Sequence, residues 1–301
     1  MQKLEDKLKE IKKEKRLALM THVVVGYPSL DATIRLVKIM EKAGADMVEL
    51  QIPFSDPLAD GPTIMRACES SLANGTKVKD AFIVAKKLSR EVSIPLLFMA
   101  YYNTVFCYKN NFYSSSERSK SRSRFWTSQN DGSRQARTIT QNNMSGVEAF
   151  IKDAKEAGIS GLIVPDMPIE EEGCEHFMQF CRKYALANIQ VVSPASMDDR
   201  LKKNAKVARG FVYVTARQGI TGAQEFLDPS LTDFLKKVKK YFSVPIAVGF
   251  GISKKEHIEV LKNHANIAIV GSAIIDVMNK SKPESMEKNV SSFIRELKIV
   301  N

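Results

Sequence analysis

The sequence predicts an α/β fold, a (β/α)8 TIM barrel with an N-terminal helix and a disordered basic insertion after the third strand. Three observations carry this expectation. Short apolar runs rich in β-branched residues alternate with helix-patterned segments as far as the C-terminus. About eight such units fit a chain of 301 residues better as one closed parallel barrel than as an open sheet. The turn after the first run, Val25-Gly26-Tyr27-Pro28, also lacks the G-x-G-x-x-G by which an open nucleotide-binding sheet usually announces itself.

Taken in order, residues 1–16 place Leu4, Leu8 and Ile11 at i, i+4 and i+7, a short amphipathic helix that would cover the bottom of a barrel. The predicted strands are Leu19–Val25, Met47–Ile52, Ile94–Ala100, Gly161–Val164, Ile189–Val192, Phe211–Thr215, Pro245–Gly249 and Ile267–Val270. Helical spacing marks Asp31–Ala43, Lys77–Val92, Val147–Ala157, Glu170–Ala185, Leu231–Phe242 and Lys254–Asn263. In the first of these Leu36, Ile39, Met40 and Ala43 share one face, with Arg35, Lys38 and Lys42 opposite. Residues 109–145 break the rhythm. They are Ser- and Arg-rich, poor in aliphatic residues and hold the only tryptophan, Trp126, so they are read as a low-complexity loop inserted into a single domain spanning 1–301.

Composition narrows the function. With 44% hydrophobic and 26% charged residues the chain has enough apolar material for a large core, and it contains no apolar run long enough to span a membrane. Residues 1–16 lack the apolar core of a secretory signal, and the four cysteines, Cys68, Cys107, Cys174 and Cys181, form no C-x-x-C pair; a reducing cytoplasm is expected. The net charge of +11 is concentrated at residues 1–16 and 109–145, leaving a nearly neutral body, whereas a nucleic-acid-binding domain needs a basic face on its folded surface.

The stretch Glu49-Leu-Gln-Ile-Pro-Phe-Ser-Asp-Pro-Leu-Ala-Asp60-Gly-Pro-Thr63 points to chemistry. Val48, Leu50 and Ile52 alternate with Met47, Glu49 and Gln51, so with the apolar set facing the helices Glu49 points into the barrel near its mouth. A carboxylate there is costly unless used or paired. Pro53, Pro57 and Gly61 shape a loop that brings Asp60 back toward it, and two acids so presented suit general acid/base work on a small substrate. After the seventh strand comes Val248-Gly-Phe-Gly-Ile-Ser253 and after the eighth Val270-Gly-Ser-Ala-Ile274. Glycine turns there let backbone N–H groups close around an anion, and barrels commonly hold substrate phosphate at these two loops. A third glycine loop, Arg217-Gln-Gly-Ile-Thr-Gly222, follows the sixth strand and suits a lid. No metal-ligand cluster is visible.

PFSDPLADGPT after Val-Glu-Leu, Tyr213 followed by Gly-Ile-Thr-Gly, then GFGIS and GSAI in that order, resemble the tryptophan synthase alpha chain family, as do MAYYNTVF after the third strand and GLIVPDMP after the fourth. The resemblance covers all but residues 109–145. It implies cleavage of indole-3-glycerol phosphate to indole and glyceraldehyde 3-phosphate, a carbon–carbon lyase step of L-tryptophan biosynthesis. It implies no cofactor in this chain, and an α2β2 complex with a beta chain that carries pyridoxal phosphate. Residue by residue it makes Glu49 the general acid and base and Asp60 the partner of the indole N–H. Tyr213, Tyr101 and Phe250 would line the substrate site and Thr221 the lid, with Gly222, Gly251, Gly271 and Ser272 as phosphate contacts.

The sequence departs from the family pattern at Gln51, usually glycine, at His22, frequently phenylalanine, and at Ala216, often serine. Gln51 lies on the same side of the strand as Glu49, where it would hydrogen-bond Glu49 or crowd the pocket; His22 reads as a structural hydrogen-bonder. An alternative from another class is a barrel-derived binding protein whose Ser/Arg loop, with Phe125 and Trp126 available for stacking, engages RNA or an acidic partner.

Overall fold

The computed structural model describes residues 1–109, 145–167, 169–215, 229–249 and 251–298. Eight parallel strands close into a barrel in sequence order: β1 (Ala18–Val24), β2 (Met47–Gln51), β3 (Leu96–Met99), β4 (Gly161–Ile163), β5 (Ala187–Val192), β6 (Val212–Thr215), β7 (Ile246–Gly249) and β8 (Ile267–Val270), with β8 returning to pair with β1. All eight lie where the apolar runs predict them.

Alternation along each strand divides the core in two. Val48, Leu50 and Ile52 face outward and join the helices in a continuous buried layer with residues such as Leu36, Met40, Leu88 and Phe150. Met20, Met47, Leu97, Ile189, Phe211, Ala247 and Ile267 point inward and fill the lumen, as a packed barrel requires. Leu4 and Ile11 of the N-terminal helix, Gln2–Glu14, belong to this inner cluster and are 0% and 3% exposed, so the helix closes the barrel from below.

Asp46, at the N-terminal side of β2, ties this end together. It accepts the Leu19 N–H at 2.8 Å and pairs with Arg16 at 2.7 Å and Lys298 at 2.8 Å. Burial alone would raise its pKa, but these two cations and the amide hold it below the usual carboxylate value.

Helices start where local chemistry supplies a cap. Ser29 accepts the Ala32 N–H at the head of Leu30–Ala43, and Ser145 accepts the Glu148 N–H at the head of Gly146–Glu156. The predicted helix over Glu170–Ala185 is broken. A short turn, Glu172–Glu175, is followed by Phe177–Lys183, with His176 between them at φ 55°. The Glu172 carboxylate accepts the N–H groups of Met178 and Gln179 at 2.7 and 2.8 Å, serving as a cap for the second piece. The inserted loop read at 109–145 falls, apart from its end residues Lys109 and Ser145, outside the described residues. Among the described residues no helix is long and apolar enough to cross a membrane.

Candidate active site

The upper end of the lumen is polar where the lower end is apolar. His22 and Glu49 are register partners on β1 and β2, 4% and 2% exposed, and His22 Nδ1 stands 3.5 Å from Glu49 Oε2. Beyond β2 the chain leaves the barrel through Ile52 and Pro53 and returns Asp60 to the same place before Pro62, at the first position of helix Pro62–Ala73, redirects it. Asp60 is held there from two sides. The Gln51 side-chain amide donates to Asp60 Oδ2 at 2.6 Å and the Tyr101 hydroxyl donates to the same oxygen at 3.0 Å. Tyr101 Oη in turn accepts the Ala59 N–H at 2.9 Å, and its ring stacks on Phe54 with centroids 5.3 Å apart. The loop that carries Asp60 is thereby fastened at three points to β2 and to the segment after β3.

Of the two outcomes open to Gln51, a bond to Glu49 or crowding of the pocket, the bond to Glu49 is not formed. Both side chains project from the same side of β2, but the returning loop brings the Asp60 carboxylate within 2.6 Å of the Gln51 amide, and the bond forms there.

The electrostatics of the cluster follow from the nearness of the two acids. Burial would lower the His22 pKa, but Glu49 and then Asp60, helped by the Gln51 side chain, override it and raise the imidazole above its usual value. Asp60 moves up because burial outweighs its nearby positive and hydrogen-bonding partners, His22, Gln51 and Tyr101. Tyr213, on β6, is raised well above an ordinary phenol by burial and by both carboxylates, so its hydroxyl stays protonated as a donor. Glycine at 249 makes room for that ring: a Cβ there would lie 2.9 Å from Tyr213 Oη.

The glycine turns lie on the rim formed by the ends of β7 and β8, and β8 pairs with β1. Gly251 adopts φ 76°, a left-handed conformation that favours glycine, and nothing lies within 4 Å of where its Cβ would project. Gly271 caps helix Ser272–Lys280, whose first amides face the barrel mouth end of β8, a natural seat for an anion. A Cβ on Gly271 would touch the His22 side chain at 3.5 Å, so this rim abuts the acid cluster. Thr221, Gly222, Phe250 and Ala216 lie outside the described residues. Among the described residues no group of three or more His, Cys, Asp or Glu side chains is placed to hold a metal ion.

The family model described as "Tryptophan synthase alpha chain" matches residues 8–122 and 140–300. The chain belongs to the tryptophan synthase alpha chain family. A curated tryptophan synthase alpha chain from Desulfotalea psychrophila is 38% identical over 290 residues, covering 96% of this chain and 99% of its own length. One from Methanocaldococcus jannaschii is 37% identical over 284 residues, covering 94% and 87%. Among solved structures, a chain of Mycobacterium tuberculosis tryptophan synthase superposes with TM-score 0.79 at 25% identity, covering 99% of this chain and 97% of that one. A tryptophan synthase alpha-subunit from Pyrococcus furiosus gives 0.74 at 28% identity, covering 93% and 97%. The family match passes over only residues 123–139 inside the stretch read as inserted. Nothing in these likenesses favours the reading of the barrel as a binding protein for RNA or an acidic partner.

For a member of the tryptophan synthase alpha chain family, sequence reasoning missed two connections. Tyr101, expected to flank substrate, binds Asp60 directly, and His22, read as structural, faces Glu49. The register of β1 on β2 is the signal that could have paired His22 with Glu49; no local pattern marks Tyr101.

Proposed function

We propose that Glu49 and Asp60 cleave indole-3-glycerol phosphate to indole and glyceraldehyde 3-phosphate, with the substrate phosphate held at Gly222, Gly251, Gly271 and Ser272 on the rim after β6, β7 and β8. The observation that carries this reading is the pair of acids, Glu49 buried and Asp60 half-buried, gathered around His22 and Gln51 at the barrel mouth.

The reaction breaks the bond between indole C3 and the hydroxyl-bearing carbon of the side chain. Glu49 gives a proton to C3, which turns the ring into an electron sink. The carboxylate so formed takes the proton of the adjacent hydroxyl, the oxygen's electrons form the aldehyde, and the bond pair returns to the ring as indole. No net proton is consumed. Positive charge develops at the ring nitrogen in between, and Asp60, kept in place by Gln51 and Tyr101, stabilises it through the indole N–H. Tyr213 lines the site beside both acids, and Tyr101 with Phe54 forms an aromatic wall. Thr221 and Gly222 on the loop after β6, and Phe250 after β7, complete the pocket in this reading.

The product indole passes to a tryptophan synthase beta chain, which supplies pyridoxal phosphate chemistry, in an α2β2 assembly; this chain itself needs no cofactor for a carbon–carbon cleavage driven by proton transfer to the ring and from the hydroxyl. Leu58, 87% exposed on the loop that carries Asp60, gives such a partner an apolar contact directly coupled to the acid. The reading places the enzyme in the cytoplasm. The deciding experiment is Glu49→Gln, measured by glyceraldehyde 3-phosphate release and by substrate binding. Turnover falls to background while binding persists; appreciable turnover by the variant refutes the assignment.

A further inference from the structure

Of the buried side chains beside the two acids, His22 has no part in the chemistry just described and Gln51 enters it only by holding Asp60. His22 stands beside Glu49, with Nδ1 at 3.5 Å from Oε2, and Gln51 donates its amide N–H to Asp60 at 2.6 Å. Three buried polar atoms of this group, Nε2 on His22, Oε1 on Gln51 and Oε2 on Glu49, have no hydrogen-bond partner among the described residues, so the 3.5 Å approach of His22 to Glu49 is an ion-pair contact. The first two are complementary, because a protonated imidazole presents N–H groups at both nitrogens and an amide oxygen accepts. A buried cation is costly unless paired, and here acids stand on both sides of it.

We propose that His22 and Gln51 are positioning residues that join the two carboxylates into one relay, Glu49–His22–Gln51–Asp60. The inference rests on the catalytic roles given above to Glu49 and Asp60. Its consequence is a division of labour. An imidazolium at Oε2 stabilises the carboxylate that remains once Glu49 has given its proton to the ring, and orients it toward the hydroxyl. The Gln51 amide meanwhile points the charge of Asp60 at the indole nitrogen. Glu49 and Gln51 face the imidazole from β2, Asp60 faces it from the following loop, and Gly271 at the end of β8 packs against its side chain without adding charge. Tyr213 stands by both acids as a neutral phenol. The raised imidazole value agrees with this pairing.

The test follows the imidazole of His22 directly by 15N-histidine NMR across pH in the full chain. The resonance is assigned among the four histidines by its loss in His22→Phe. In the native chain it titrates above the ordinary value of 6.5. Glu49→Gln lowers the midpoint by ~1 pH unit or more, as loss of an opposite charge at this range requires, and Gln51→Gly lowers it less. In indole release, His22→Phe reduces kcat about tenfold with KM nearly unchanged, the scale of one charged hydrogen bond. It also removes from the kcat profile the limb that coincides with the His22 midpoint. His22→Asn, which keeps an N–H donor near Glu49, recovers part of kcat but not the limb. A midpoint unmoved by Glu49→Gln overturns the relay, as does a His22→Phe pH profile that overlays the native one. If His22→Phe does not fold, the Glu49→Gln arm decides alone, with His22 then assigned through His22→Asn. If the native chain releases no indole, the lyase reading fails while the NMR linkage still decides whether the relay exists.

Discussion

Removing one oxygen, in Tyr101→Phe, separates the positioning of Asp60 from everything else in the pocket. The ring stays stacked on Phe54, so the aromatic wall is kept. What disappears is the hydroxyl that donates to Asp60 at 3.0 Å and accepts the Ala59 N–H at 2.9 Å. A hydrogen bond to a charged acceptor contributes about 1.5–3 kcal/mol. If that contribution is expressed fully in the transition state, kcat falls roughly 10- to 150-fold. KM changes little, because the apolar surface offered to the indole is the same. A second signature follows from the sign of the shift. Burial raises the Asp60 pKa, and Tyr101 is one of the groups pulling it back down. The role proposed for Asp60 needs it ionised, so activity is expected above its pKa and lost as pH falls through it. Deleting the hydroxyl moves that acid limb to higher pH. The assay is steady-state indole release between pH 4 and 9. An unchanged kcat together with an unmoved acid limb would refute the claim that Tyr101 holds Asp60.

Other perturbations probe the frame around the site. Asp46→Ala leaves Arg16 without its buried partner and the Leu19 N–H without an acceptor, and denaturant unfolding at pH 7 shows a loss of about 3–5 kcal/mol. Because the Asp46 pKa is held low in the fold, the native advantage over the variant is present above the ordinary carboxylate value of 3.8 and fades as pH drops through the lowered one. Gly249→Ala drives a Cβ to 2.9 Å from Tyr213 Oη, and kcat/KM falls about tenfold as the ring is displaced. Tyr213→Phe removes the closest atom of that clash, so stability losses in the double variant are non-additive by more than ~0.5 kcal/mol.

Much of this architecture could be read from the sequence because barrel strands obey a local rule. A β-branched run such as Ile267–Val270 declares itself without its neighbours, and the alternation Val48, Leu50, Ile52 against Met47, Glu49 settles which way Glu49 points. The capping of Leu30–Ala43 by Ser29 is equally local. What escaped were contacts between segments. Gln51 and Glu49 share a strand face, and only the path of residues 53–60 decides that the amide reaches Asp60 instead. The break at His176 depends on the Glu172 carboxylate folding back onto Met178 and Gln179, a choice that apolar spacing over 170–185 does not encode. Tyr101 is drawn to Asp60 across 41 residues of chain.

Among the described residues the helix that plugs the lumen with Leu4 and Ile11 shuts its lower end, which leaves the mouth beside the acids as the way in. Whatever sits over that mouth therefore governs traffic of substrate and products in both directions. Covering it would trap the departing ring above the acids and hand it on, while blocking entry of the next molecule until the first had gone.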